Sequence, residues 1–204
     1  MTRKDLTQNQ LRRFYRYMLS AREVDRLEDQ FTKRGEAFFH VSGAGHEGSV
    51  VLEDILGEQD WLHCHYRDKA LMLARGVSSE MFFHSLFCKD ASHSRGRQMS
   101  AHISDPRHKV LSLAGPVGNN ALPAAGIAAE VKDQEGSPVV LCALGDGMTQ
   151  EGEVLESIAH SVRERLPVLY FIEDNVYAIS TQTKGQTFFS TPTAKLKAFT
   201  ASPL

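Results

Sequence analysis

The chain has 204 residues, 42% hydrophobic and 24% charged, and its formal net charge of −2 argues against a nucleic-acid binder, which shows a basic excess or stripe. No apolar run approaches the roughly 20 residues that span a bilayer, and Met1-Thr2-Arg3-Lys4-Asp5 is polar from the outset, unlike a signal peptide. Cys64, Cys88 and Cys142 are odd in number and lack C-x-x-C spacing, which suits free thiols in a soluble cytoplasmic α/β protein better than a disulfide framework or a zinc site.

One domain over residues 1–204 is the expectation at this length. Leu11, Phe14, Met18, Ala21, Val24, Leu27 and Phe31 recur in steps of three and four, predicting a long helix within about 7–34. Thr7 with Gln10 fits a capping box, and Gly35 fits a stop. A helix from Glu47 to Leu56, a strand near Trp61 to Cys64, and helices over Asp68 to Arg75 and Ser79 to Phe87 follow. Cys88 to Arg107 is polar and aperiodic, hence a long loop of the kind that often serves function. Val110 to Leu113 is predicted as a short strand and Asn120 to Lys132 as a small-residue helix. The continuous apolar run from Val139 to Leu144 predicts a strand buried on both faces of a parallel sheet. Glu151 to Leu166 carries Val154, Leu155, Ile158, Ala159 and Val162 on one stripe, and Val168 to Ile172 predicts a second buried strand. Strand, helix, strand at these lengths is a βαβ unit, with parallel strands and a right-handed crossover. The pattern dissolves after Gln182, and Thr187 to Leu204 makes no clear element.

Ligands of open α/β sheets bind beyond the carboxyl ends of the strands. The two strands of the βαβ unit end in Gly145-Asp146-Gly147 and Glu173-Asp174-Asn175. The crossover returns Asp146 and Asn175 to neighbouring places although 29 positions separate them in sequence. One carboxylate and one amide oxygen suit Mg²⁺, a hard ion that completes its octahedron with phosphate oxygens and water. The glycines let backbone N–H groups approach an anion at a helix N-terminus. Taken alone, a Gly-Asp-Gly is usually a turn; the flanking strands and the distal Asn raise the metal reading to equal standing.

Gly145-Asp146-Gly147 with the distal Asn175 resembles the thiamine diphosphate motif. The chain is similar to the alpha subunit of the decarboxylating first component of 2-oxo acid dehydrogenase complexes. The resemblance runs over most of residues 10–185, through Gly45-His46-Glu47-Gly48, Tyr66-Arg67, Gly96-Arg97-Gln98-Met99 with His102, Gly115-Pro116-Val117 and Asn175-Val176-Tyr177-Ala178-Ile179-Ser180-Thr181. It implies a thiamine diphosphate-binding fold, a parallel sheet flanked by helices, incomplete at its C-terminus because family members run longer. It further implies that Asp146 and Asn175 ligate Mg²⁺ through side chains and Tyr177 through its carbonyl. Tyr66 and Arg67 would contact the diphosphate, where an Arg fork suits phosphate oxygens. Gly147 and Met148 would line the diphosphate, and Gly115 and Val117 would approach the aminopyrimidine. A monovalent cation beside Pro116 is found in some relatives, but Asn119 and Asn120 depart from the usual Thr-Gln.

The resemblance leaves the chemistry to the cofactor, which serves as electron sink for decarboxylation of a 2-oxo acid, with acyl transfer to a lipoyl-bearing acyltransferase. It implies a beta subunit that supplies the glutamate against the aminopyrimidine, in a heterotetramer, and an inactive isolated chain. His40 and Glu47 are candidates to face the substrate, against the blander readings of a packed His and a helix-start Glu. The blocks at 96–99 and 177–181 resemble the branched-chain branch, whereas Glu173 and Gly115 resemble the pyruvate branch. The balance favours a branched-chain substrate over pyruvate or acetoin. Two readings compete. One is an inactive fragment acting as an interaction module. The other is an NAD-binding protein, since Gly43-Ala44-Gly45-His46-Glu47-Gly48 is a literal G-x-G-x-x-G with Asp68 20 residues beyond. His63-Cys64-His65 suggests a metal, but alternate strand residues share a face by geometry alone.

Overall fold

A computed structural model describes residues 6–111, 113 and 115–189. The chain separates into two compact units, one of Met1–Glu58 with Tyr66–Ser112 and one of Gln59–His65 with Leu113–Leu204.

In the first unit, α1 spans Gln8–Lys33, and the predicted capping box is present in full: the Thr7 side chain accepts from the Gln10 N–H while the Gln10 side chain accepts from the Thr7 N–H. The helix ends at Arg34, and Gly35 follows at φ +74°, a conformation that costs glycine nothing. Phe14, Ala21 and Val24 are buried as expected, but Leu11 is exposed, and the buried face continues through Asp25 and Glu28. Two acids therefore share the buried face, four and seven positions beyond Ala21 and each next to a residue of the predicted stripe. The segment Glu47–Asp54 is a 3-10 helix rather than the predicted α-helix, its first side chain drawn back to Arg22 and the Gly45 N–H. α2 (Lys69–Arg75) and α3 (Ser79–Leu86) match expectation to within a residue, α2 stopping at Gly76 with φ +113°. Phe31 meets Phe83 and Phe87 edge-on, tying α1 to α3. The stretch from Cys88 to Asp105 is a loop, as predicted, before a short 3-10 turn at Pro106–His108. Of the strand expected from Val110 to Leu113, the described residues show one antiparallel bridge, Val110 with Asp105, and Ser112 lies outside them.

The second unit is built on a parallel sheet with helices beside it. β1 (Trp61–His63), β2 (Val140–Gly145) and β3 (Val168–Glu173) lie in the order β1-β2-β3, all parallel. α5 (Gly152–Glu164) makes the crossover from β2 to β3, so the βαβ unit is present. β2 is buried along its whole length. β3 is not the doubly buried strand predicted: it has a neighbour on one side only among the described residues, and Leu169 is exposed. α4 (Ala121–Val131) buries Ala121, Ala124, Ala125 and Ala128 completely. These small side chains let α5 approach closely. The face of α5 turned to its own unit is consequently Val154, Ser157 and Ser161, whereas Leu155 and Val162 of the predicted stripe face outward. The buried hydroxyls are satisfied, as burial demands: Ser157 donates to the Ala121 carbonyl at 2.7 Å, and Ser157 and Ser161 pair with the Tyr170 hydroxyl at 2.6 and 2.9 Å. All three cysteines are free thiols, and burial pushes Cys142 up to about 12. Among the described residues no helix is long and apolar enough to cross a membrane.

Candidate functional site

The register of β2 on β3 pairs Gly145 with Glu173, so the chain leaves the sheet at Asp146 and Asp174 on adjacent strands. Asp146 is 1% exposed. Its carbonyl accepts the Thr149 hydroxyl at 2.6 Å and the Thr149 N–H at 3.3 Å, opening the 3-10 turn Gly147–Gln150. Its carboxylate accepts the hydroxyl of Thr183. Thr183 arrives through a tight hairpin, β4 (Tyr177–Ala178) against β5 (Thr181–Gln182). The hairpin packs on Gly147: a Cβ there would stand 2.6 Å from that of Ala178. Asn175 lies at the foot of the hairpin, half-buried, its Oδ1 accepting the Tyr177 N–H at 3.0 Å. Val176 and Ile179 take φ +60° and +57°, strained for β-branched residues.

The donors that the chain offers past these two strand ends are all oxygen: the Asp146 carboxylate after β2, and the Asn175 amide and Tyr177 carbonyl after β3. That chemistry fits Mg²⁺, and Asn175 keeps a second lone pair after bonding Tyr177. The Met148 sulfur accepts the Gly145 N–H at 3.1 Å, so its side chain lies against the end of β2. Gly115 and Val117 are exposed, on the turn before α4. At the suggested monovalent-cation position the Pro116 carbonyl accepts the Asn119 N–H at 3.3 Å, and Asn120 donates to the Ala143 carbonyl at 2.8 Å, tying α4 to β2. His65 and Glu173 are buried 3.9 Å apart. Burial lowers His63 to about 4.

Tyr66 and Arg67 belong to the first unit. The Arg67 guanidinium stacks 5.0 Å above the Tyr66 ring. Arg67 shares a shallow recess with Ala21, Asp25, Gly43, Glu47 and Lys69. Beneath it lies a cluster that the sequence reading did not single out. The Lys69 ammonium, 2% exposed, sits 2.9 Å from Asp25 Oδ1, 3.0 Å from Glu28 Oε2 and 3.3 Å from the Val41 carbonyl. His40 enters the same cluster, 3.3 Å from Glu28 and 3.6 Å from Asp25. Asp25, Glu28 and His40 have the spacing of a metal-ligand triad, but the Lys69 ammonium already supplies a cation between the two carboxylates. The detectable signal was Asp25 and Glu28 on the apolar phase of α1.

Burial alone would lower His40, but its contacts with the two carboxylates prevail and raise it to about 9. Burial likewise pushes Asp25 up, and His40, Lys69, Ser42 and the Gly43 N–H together hold it far below the usual carboxylate range. A raised imidazole stabilises the fold fully below about pH 6.5 and ceases to do so as pH rises through about 9. Thermal melts of wild type and His40→Gln between pH 6 and 10 should therefore converge toward high pH, the gap at neutral pH being at most about 3 kcal/mol. Parallel curves would show that His40 carries no such charge. Glu47 pairs with Arg22 at 2.6 Å and accepts the Gly45 N–H at 3.0 Å; burial raises it, but those partners hold it below its ordinary value.

The G-x-G-x-x-G at 43–48 lacks the strand–turn–helix setting of a dinucleotide site: among the described residues no strand precedes it, and a 3-10 helix follows. Thr183, absent from the sequence reading, is the one side chain found bonded to the Asp146 carboxylate among the described residues.

A family model described as dehydrogenase E1 component matches residues 15–202. The chain is 26% identical over 182 residues to the 2-oxoisovalerate dehydrogenase subunit alpha, mitochondrial, of Bos taurus, covering 89% of this chain and 40% of that protein. It is 29% identical over 178 residues to the 2-oxoisovalerate dehydrogenase subunit alpha of Bacillus subtilis, covering 86% and 54%. The Arabidopsis thaliana subunit alpha 1 is 25% identical over 175 residues, covering 85% and 37%. The chain thus spans roughly two fifths to half of the length of these relatives.

Proposed function

Since the chain belongs to the dehydrogenase E1 component family, we propose that it acts as an alpha-type subunit binding thiamine diphosphate and Mg²⁺ in the oxidative decarboxylation of a branched-chain 2-oxo acid. The observation that carries this reading is the buried Asp146 carboxylate at the end of β2, with Asn175 and Tyr177 beyond the paired end of β3. Asp146, Asn175 and the Tyr177 carbonyl would hold the metal. The resemblance assigns Gly147 and Met148, and separately Tyr66 and Arg67, to a diphosphate, and Gly115 and Val117 to the aminopyrimidine. The bound cofactor supplies the electron sink for decarboxylation. The chain's own residues bind and orient it; Thr183 holds the metal-facing carboxylate by donating to it.

The resemblance and the names of the relatives favour a branched-chain substrate over pyruvate or acetoin. A beta subunit as partner and a lipoyl-bearing acyltransferase as acceptor belong to the same reading, in which His40 orders the loop at 40–43 and Glu47 the turn at Gly45. Calorimetric titration with thiamine diphosphate and Mg²⁺, with and without a beta-type subunit, is the direct test. Saturable binding is expected with the partner, followed by turnover of branched-chain 2-oxo acids in preference to pyruvate. Failure to bind even in that complex would return the chain to an interaction module, and saturable NADH binding without thiamine diphosphate binding would reverse the reading entirely.

A further inference from the structure

Asp25 occupies an unusual place in the first unit. It lies on the buried face of α1 and is 6% exposed, yet each polar contact it makes reaches another stretch of chain. Oδ1 accepts the Gly43 N–H at 2.8 Å and the Lys69 ammonium at 2.9 Å, and Oδ2 accepts the Ser42 hydroxyl at 2.7 Å. Gly43 in turn lies directly on the backbone of Arg67: an added Cβ would be 2.7 Å from the Arg67 carbonyl oxygen and 3.3 Å from its Cα. Arg67 is therefore held from two directions by one carboxylate. One path runs through Gly43, which touches its backbone. The other runs through Lys69, two residues further along, whose ammonium is anchored between Asp25 and Glu28.

We propose that Asp25 is a positioning residue for Arg67, and that through Gly43 and Lys69 it sets how well the Arg67 guanidinium meets an anionic oxygen ligand, here a diphosphate. This rests on the assignment of Arg67 to thiamine diphosphate made above. A guanidinium fork discriminates by angle as well as by charge. Rotation of the backbone that carries it costs affinity without removing any group that touches the ligand. Asp25 is fit for the task because burial among partners of opposite charge leaves its carboxylate a single geometry, whereas an exposed acid at this place would be free to turn.

The test is a double-mutant cycle on the full chain complexed with its beta-type partner, reading the dissociation constant of thiamine diphosphate with saturating Mg²⁺. Asp25→Asn is expected to weaken binding about tenfold, and Arg67→Ala more. Asp25→Asn in the Arg67→Ala background should then add almost nothing, because groups that act through one another are not additive. Asp25→Glu, which keeps the carboxylate, should recover most of the loss. Gly43→Ala is the second route, since it displaces Arg67 without touching a charge, and it should show the same lack of additivity. Effects of Asp25→Asn and Gly43→Ala that multiply with that of Arg67→Ala, or a loss that Asp25→Glu shows in full, would overturn the proposal. Should Arg67→Ala itself leave binding unchanged, the fault lies in the diphosphate assignment of Arg67, and the positioning role falls with it.

Discussion

Asp146→Ala should abolish Mg²⁺-dependent thiamine diphosphate binding in the partner-complemented complex, weakening it by about 100-fold or more. Groups that merely orient a metal ligand are commonly worth 10- to 100-fold in metal affinity, so a direct ligand should exceed that range. The loss should not be a loss of fold. The contacts that shape the turn, from the Thr149 N–H and hydroxyl, go to the Asp146 carbonyl, and alanine keeps that carbonyl. Thr183→Val removes only the hydroxyl that orients the carboxylate and should cost about tenfold, nearer the orienting class. Calorimetry gives both constants, and a melting curve without ligand checks that each variant is folded. Binding by Asp146→Ala at wild-type strength would rule out the metal assignment.

Lys69→Met should destabilise the protein by about 3 to 5 kcal/mol, a large part of the roughly 5 to 15 kcal/mol that holds a domain together. Methionine retains most of the aliphatic volume, so the effect is not one of cavity formation. What remains is a pair of carboxyl groups at Asp25 and Glu28, buried without their ammonium. The sign of the pH dependence follows from Asp25, whose folded pKa is depressed in the presence of Lys69. Its favourable contribution is present above its unfolded value and is lost as pH falls through the folded one. The gap between wild type and Lys69→Met should thus be widest near neutrality and should shrink on acidification. Urea midpoints at pH 2.5 and 7, one below and one above the ordinary Asp value of 3.8, measure both; a gap under about 1 kcal/mol at pH 7 would mean the cluster is hydrated and its charges screened.

Much of this architecture is legible in the sequence because it depends on local chemistry. The Thr7–Gln10 box, the apolar phase of α1 and the apolar run of β2 each announce themselves within a few residues. The βαβ order alone then places Asp146 and Asn175 just past neighbouring strand ends. The failures share a physical origin in tertiary context. Asp25, Glu28 and Lys69 are charged residues in buried places, permitted only because the fold brings α1 and α2 together; the helical phase of Asp25 and Glu28 hints at burial, but nothing local names Lys69 as their partner. The inward face of α5 is read wrongly because α4 offers it alanines, so serines paired with Tyr170 pack where Leu155 and Val162 were expected. Thr183 went unnoticed because its role depends on the hairpin at 177–182 folding back over Gly147. The residues that touch the proposed ligand were thus more readable than those that hold them in place.

The parallel pairing of β2 with β3 carries a consequence for how the protein comes into being. Parallel neighbours must be joined by a crossover, so the two halves of the proposed metal-binding set are contributed by stretches of chain that emerge from the ribosome at different times. Asp146 is synthesised, and β2 already has β1 to pair with, while Asn175 and Thr183 do not yet exist. Contacts between residues far apart in sequence form slowly because the loop between them must be ordered first. The site is therefore expected to be a late product of folding, and a nascent chain that pauses between positions 146 and 183 would present a carboxylate with nothing to orient it.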